Sequence, residues 1–235
     1  MPQQILIIGG TSGIGRELAA RYTKQGAAVV IAGRDAERAA KVAAELNAKG
    51  ATDNAVRGIE VDLSKPEVIA DALSDIAQVD AIVLAGMQRD RNTVQDYNTA
   101  GAKELVITKL VGYTEVLHVL QSRISPNGSV LLFGGTAKDA PYPGSTTVTA
   151  VNAGVVGLVT TLSKELAPVR VNAIHPGLVG DSPYWAQNDA AVESARARTL
   201  TGKLATTQEI VDGCVFLLEN AAADGIHLHL DGGRA

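Results

Sequence analysis

Three glycines in "LIIGGTSGIGREL", Gly9, Gly13 and Gly15, fall between a short apolar run and an amphipathic one. Glycine reaches the positive φ of a tight turn, and its bare backbone can approach a phosphate closely. A helix opening at that turn directs free N–H groups and the positive end of its dipole at an anion. Strand, turn and helix occur here in the order a pyrophosphate cradle needs, with Thr11, Ser12 and Ile14 as its other residues. Ionisable or amide side chains that could act on a bound substrate are sparser: Lys109, Tyr142, Asn152 and His175.

The elements that must position these groups follow from the hydrophobic pattern. "QILIIG", "AAVVIAGR", "VRGIEVD", "VDAIVLAG", "GSVLLFGG", "VRVNAIHPG" and "GIHLHLDGG" read as strands. Between them lie helical stretches: one from Gly15 to near Gly26, and one capped by Asp35 and ended by Gly50. A third is expected over "SKPEVIADALSDIAQ", with Ser64 as N-cap and Pro66 in its first turn. A polar, weakly periodic stretch from Met87 to about Ala102 reads as a mobile loop before a helix that runs to about Ser122. "SPNG" reads as a turn before the fifth strand. A long helix ends at Leu166, and "TTQEIVDGCVFLLEN" is a last one. Strands buried on both faces and alternating with helices predict an α/β, Rossmann-type, doubly wound parallel sheet of about seven strands with helices on both faces. The whole of 1–235 reads as one such domain, with a polar lid at about 178–205.

Composition agrees with a globular chain: 235 residues, 46 % hydrophobic, 20 % charged, 3 % aromatic. A net charge of −4 with interspersed signs offers no basic footprint for nucleic acid. The single cysteine, Cys214, excludes an internal disulfide and a thiolate metal cluster, and reads as a small buried apolar residue. No metal site is expected. Neither a secretory leader nor an apolar run of membrane-spanning length is visible, which predicts a soluble, cytoplasmic protein without a membrane partner.

The glycine spacing, "GGTSGIG", resembles that of the short-chain dehydrogenase/reductase family, and the resemblance runs almost end to end. "VDLS", with Asp62 and Leu63, is similar to the family's adenine-contacting segment. Leu84, Ala85 and Gly86 sit where the family has its turn after strand four. "RVNAIHPGLV" matches its strand-six motif, which implies that Pro176, Gly177 and Val179 meet the nicotinamide. "LHLDGG" is similar to its last strand. Family members that use NAD often carry an acid at the end of strand two; here stands Gly33, followed by Arg34, whose guanidinium can pair with a 2′-phosphate. NADP(H) is therefore the expected cofactor and NAD(H) the alternative.

The same resemblance exposes a gap. The family's chemistry uses Asn, Ser, Tyr and Lys, the Lys charge lowering a Tyr pKa that is ordinarily about 10. Gap-free alignment of "NAGVVGLVTTLSKELAPVRVNAIHPG" puts Asn152 at the Lys position and Val148 at the Tyr position. Counting back along the family's Ser-to-Tyr spacing lands on Gly135, and "TKLVGY" resembles the family's Asn-x-x-Gly segment, which puts Lys109 at the Asn position. Asn152 can still hydrogen-bond a ribose hydroxyl, and Lys109 restores an ammonium beside the site, reaching the nicotinamide ribose or the substrate. The remaining proton-transfer candidates are Tyr142, on the loop expected to line the pocket, then Lys138, Thr136 and a bound water. His175 reads as a packing or hydrogen-bonding residue and Tyr113 as facing helix partners. On the lid, Ser182 falls near the position of a carboxamide-contacting Thr, and Tyr184 and Trp185 could cover an apolar substrate. Arg196 and Arg198 read as solvated helix charges.

These readings predict an NADP(H)-dependent oxidoreductase with a non-standard active site and an unidentified small-molecule substrate. The alternative is a noncatalytic NADP(H)-binding regulatory or partner subunit. The resemblance also implies a homo-oligomer, a tetramer or a dimer, built on the two long helices.

Overall fold

The computed structural model describes residues 1, 3–49, 56–88, 90–183, 185 and 188–233. Seven strands form one parallel sheet in the order β3-β2-β1-β4-β5-β6-β7. They are β1 (Gln4–Ile8), β2 (Ala28–Gly33), β3 (Val56–Glu60), β4 (Val79–Leu84), β5 (Ile124–Phe133), β6 (Arg170–Pro176) and β7 (His227–Leu230). Their aliphatic runs are buried on both faces, so helices must cover both. α1 (Gly13–Lys24), α2 (Ala36–Asn47) and a late helix, Thr207–Glu219, pack on one face around Leu18, Val42 and Ile210. The other face holds α3 (Ile69–Ala72), α4 (Thr99–Val106), α5 (Gly112–Leu120) and α6 (Thr146–Glu165), around Tyr113, Val116, Val155 and Val159. The order of strands reverses between β1 and β4, and the crevice at their carboxyl ends is where such sheets bind ligands.

Several elements depart from the sequence reading. The third helix shrinks to a 3₁₀ turn, Pro66–Val68, and the four residues of α3. Ser64 does not cap it, because its amide and hydroxyl both donate to Asp62 Oδ1 (3.0 and 2.7 Å). Past α3, Arg123 collects the carbonyls of Leu73 and Ile76, each at 2.9 Å, so that stretch needs no helix to satisfy them. The "SPNG" turn lies inside β5. Val79 pairs with Ile124 and Ala81 with Ser129, so residues 125–128 bulge out of the ladder.

The stretch after β4 is fastened rather than mobile. Asn92 is 2 % exposed; its Nδ2 donates to Asp90 (2.7 Å), Asn98 O and Thr147 Oγ1 (each 3.2 Å), and its Oδ1 accepts from Asn98 N–H (2.7 Å). The lid is not irregular throughout, since it contains α7 (Asp189–Arg196), capped by Asn188. The last helix, α8 (Thr207–Glu219), opens with a capping box between Thr206 and Glu209. α6, at 20 residues, is long and apolar enough by length and composition to cross a membrane, contrary to the sequence reading; here it lies on the sheet with Val151, Val155 and Val159 buried. α2 ends at Asn47, and Gly50, the expected stop, lies outside the described residues.

Candidate active site and cofactor cradle

The glycine turn is built by close approach. Gly9 has φ 91° and Gly13 φ 52°. A Cβ on Gly9 would sit 2.6 Å from the Ala85 backbone, and one on Gly15 would collide with the Gly9 carbonyl oxygen. Nothing lies within 4 Å of the corresponding position on Gly13, which faces open space. Ser12 is the N-cap of α1 with extended backbone, and its hydroxyl makes no cap hydrogen bond. The turn therefore presents the free N–H groups of the first turn of α1 beside a hydroxyl that does not cap them.

Around this turn lie the other expected contacts. The space a side chain at Gly33 would fill is taken by Thr11, 2.9 Å from the Cβ position. Arg34 extends into solvent and donates through Nη1 to Gln88 Oε1 (3.0 Å), and Gln88 Nε2 donates to Glu104 (2.8 Å). Burial opposes charge on Asp62, yet the Ser64 hydroxyl and amide and the Lys65 ammonium hold its pKa below the usual carboxylate value. The Leu63 side chain packs over Gly86, whose carbonyl accepts from the buried Tyr113 hydroxyl (2.8 Å). Tyr113 thus fastens the floor after β4, a role beyond the helix packing expected of it.

Lys109 lies in a π-helical turn, Ile107–Val111, between α4 and α5. It is 3 % exposed. Its Nζ donates to Gly134 O and to Asn152 Oδ1, each at 3.2 Å. Among the described residues, no carboxylate pairs with it. Burial alone pulls its pKa from 10.5 down to about 7. Asn152 is buried on α6, and its Nδ2 lies 2.7 Å from where a Cβ on Gly135 would be. Lys109 and Asn152, separate in sequence, are thus one hydrogen-bonded unit at the ends of β5 and α6.

The remaining candidates divide. Tyr142 is 53 % exposed, and its backbone exchanges hydrogen bonds with Ser145 Oγ; among the described residues, no bond brings its phenol to the Lys109 unit. His175, fully buried at the end of β6, accepts from Gly135 N–H at Nδ1 (3.2 Å), and its Nε2 meets His227 Nδ1 (3.1 Å). Lys138 bonds to Asp139 (2.6 Å) and His229 (3.0 Å). Gly177 N–H donates to Leu230 O (3.0 Å), and Val179 bridges to Ala205 with its side chain buried in the core. Ser182 N–H turns back to Val179 O (3.2 Å), and Trp185 is half-buried behind it. Tyr184 lies outside the described residues. Arg196 pairs with Glu193 on the surface and Arg198 is exposed. Cys214 is buried, which pushes its thiol pKa up.

A family model described as "Enoyl-(Acyl carrier protein) reductase" matches residues 9–235. The chain is 30 % identical to a 3-oxoacyl-[acyl-carrier-protein] reductase FabG of Aquifex aeolicus, over 97 % of this chain and 95 % of the relative. The chain belongs to the short-chain dehydrogenase/reductase family. It is an oxidoreductase. Solved structures agree: a short chain dehydrogenase/reductase family protein superposes with TM-score 0.85 at 28 % identity, covering 98 % of this chain and 96 % of the other. A small-chain dehydrogenase in complex with NADPH superposes with TM-score 0.82 at 25 % identity, covering 98 % and 97 %.

Members of this family bind nicotinamide cofactors, and the residues here fit one. In the cradle at Gly9–Gly15, close contacts forbid a Cβ at Gly9, Gly10 and Gly15. Gly9–Gly15 would hold the pyrophosphate, Asp62 and Leu63 the adenine side, and Ala85–Gly86 with Pro176–Gly177 the nicotinamide side. Sequence reasoning missed Gln88, the Gly134 carbonyl and the histidines of β7. The alternation in "HLHL" was a usable signal, because it puts His227 and His229 on one face of a strand beside His175.

Proposed function

We propose that this protein is an NADP(H)-dependent reductase in which Lys109 and Asn152 replace the family's usual proton-transfer pair. In the register read from the family resemblance, Lys109 stands at the family's Asn position and Asn152 at its Lys position. The two roles have changed places, and the side chains that changed places are hydrogen-bonded to each other. That bond is the observation that carries the reading. It keeps an ammonium at the ends of β5 and α6 although it now comes from the opposite helix.

Preference for the 2′-phosphate is supported by Arg34. Its guanidinium has, among the described residues, no carboxylate partner, only the neutral Gln88, and Thr11 fills the space a ribose-binding acid would use.

Bound NADPH would supply hydride to a carbon of the substrate. The chain's own part is the balancing charge. Lys109 Nζ carries a proton, held by Gly134 O and Asn152 Oδ1, and with a pKa of about 7 it can release that proton near neutrality. Val148 offers no proton at the position of the family's tyrosine. Acceptors that need little acid assistance, a conjugated C=C or a C=N bond, therefore suit the site better than an isolated ketone.

NADPH consumption across enones, imines and ketones tests this. Enones or imines should turn over in preference to ketones, and Lys109→Met should lower kcat/KM, by less on these acceptors than the about 10²–10⁴-fold usual for a positioned proton donor. Saturable NADPH binding without turnover of any acceptor would instead support a noncatalytic NADP(H)-binding subunit.

A further inference from the structure

The peptide between Gly134 and Gly135 is gripped at both ends. Its carbonyl, on Gly134, accepts from Lys109 Nζ (3.2 Å), and its N–H, on Gly135, donates to His175 Nδ1 (3.2 Å). The glycines make this grip fit. A Cβ on Gly134 would run into the His175 ring, and one on Gly135 would lie 2.7 Å from Asn152 Nδ2. Imidazole and carboxamide thus occupy the two spaces that side chains would take.

We propose that His175 is a positioning residue, fixed in its Nε2–H tautomer, that orients the Gly134–Gly135 peptide so that the Gly134 carbonyl faces Lys109. The proposal rests on Lys109 being the ionisable centre of the site. Proton counting sets the tautomer. A backbone N–H can only donate, so His175 Nδ1 must carry a lone pair. In the neutral ring the proton is then on Nε2, which donates to His227 Nδ1 (3.1 Å), and His227 in turn carries its proton on Nε2. Protonated His175 would have no acceptor to offer Gly135. The surroundings oppose that form: burial first, then the charges of Lys138, His229, His227 and Lys109, hold its pKa down at about 3. Asp139 is the acid of this cluster, and it is engaged by Lys138 and His229 (2.6 and 3.3 Å). The groups facing His175 therefore come from the turn after β5, from β7 and from the π turn.

Two measurements on the apoprotein test this, neither of which needs a substrate. Nitrogen-15 NMR of the histidine rings should show His175 with unprotonated Nδ1 at pH 7; an Nδ1–H or doubly protonated ring overturns the proposal. The titration of Lys109, followed at its Cε, is then compared in His175→Leu and His175→Asn. Leucine fills the space without an acceptor, whereas the asparagine Oδ1 can stand in for Nδ1. Loss of the oriented carbonyl should drop the Lys109 midpoint in His175→Leu by about half a pH unit or more, and His175→Asn should restore most of that drop. An unchanged midpoint in the leucine variant, or equal shifts in both variants, overturns the proposal. Should His175→Leu fail to fold, the wild-type tautomer and the His175→Asn midpoint decide it, the latter overturning it if displaced as far as half a pH unit. Absence of turnover with NADPH would remove the proposed reaction and leave these readings intact.

Discussion

At the scale of the residue, Lys109 sets the main energetic tension. Its pKa is 10.5 as an ordinary lysine and about 7 when folded, because burial disfavours the ammonium. Between those values the unfolded chain binds a proton that the folded chain does not, so stability rises with pH across that window, and below about 7 the full cost of the buried charge is present. Denaturant titration of the apoprotein should show this slope from pH 7 to 10. Lys109→Met should flatten it and raise stability at pH 7 by upward of about 1 kcal/mol, since each pH unit separating the folded and unfolded midpoints is worth about 1.4 kcal/mol. In the proposed NADP(H) site, Arg34, just past β2, is the group for the 2′-phosphate. Arg34→Leu should weaken NADPH binding by about 10–100-fold, the worth of one or two charge-assisted hydrogen bonds, and leave NADH binding nearly unchanged. Equal losses for both cofactors in a fluorescence titration would take away the argument for 2′-phosphate recognition.

Among the elements, the helix between β4 and β5 does the most to shape the site. Regular α-helix on both sides of Lys109 gives way to a π turn of five residues, Ile107–Val111. Such a turn inserts a residue into the helix and re-aims the side chains around it. Here Thr108 and Lys109 are buried while Val106 and Val111 face outward. The segment before α4 depends on Asn92, whose side chain joins Asp90, Asn98 and the start of α6 at Thr147. Asn92→Ala removes these bonds and leaves partners unpaired, which should cost about 1–3 kcal/mol. Limited proteolysis should then cut between residues 87 and 98 faster than in the wild type. An unaltered cleavage rate there would mean that Asn92 does not hold the segment.

At the scale of the molecule, the seven-stranded parallel sheet brings the ends of β1, β4, β5 and β6 to one edge, with the glycine turn after β1 and Gly134, the acceptor of the Lys109 bond, after β5. The faces that turn away from the sheet bear on assembly. Val106 and Val111 are 37 % and 46 % exposed on the helix that carries Lys109. On neighbouring α6, the position a side chain would fill at Gly157 has nothing within 4 Å. A homo-oligomer that covers these two helices is the expected state, as a tetramer or a dimer, and small-angle scattering at micromolar concentration should return a mass two or four times that of the chain. A monomer mass would refute it.

The order of strands and helices, the glycine turn and the family resemblance were legible in the sequence. They depend on local facts: runs of aliphatic residues, glycines at fixed spacing, and turns of a few residues. What only the tertiary structure decided is where the remaining polar groups meet. Lys109 and Asn152 are 43 positions apart and Gly135 and His175 are 40 apart. The shrunken third helix was hidden for the same reason: Arg123, some 50 residues on, satisfies its carbonyls. Local pattern fixes which element forms; hydrogen-bond partners distant in sequence fix where it ends, and which buried charge it leaves at the site.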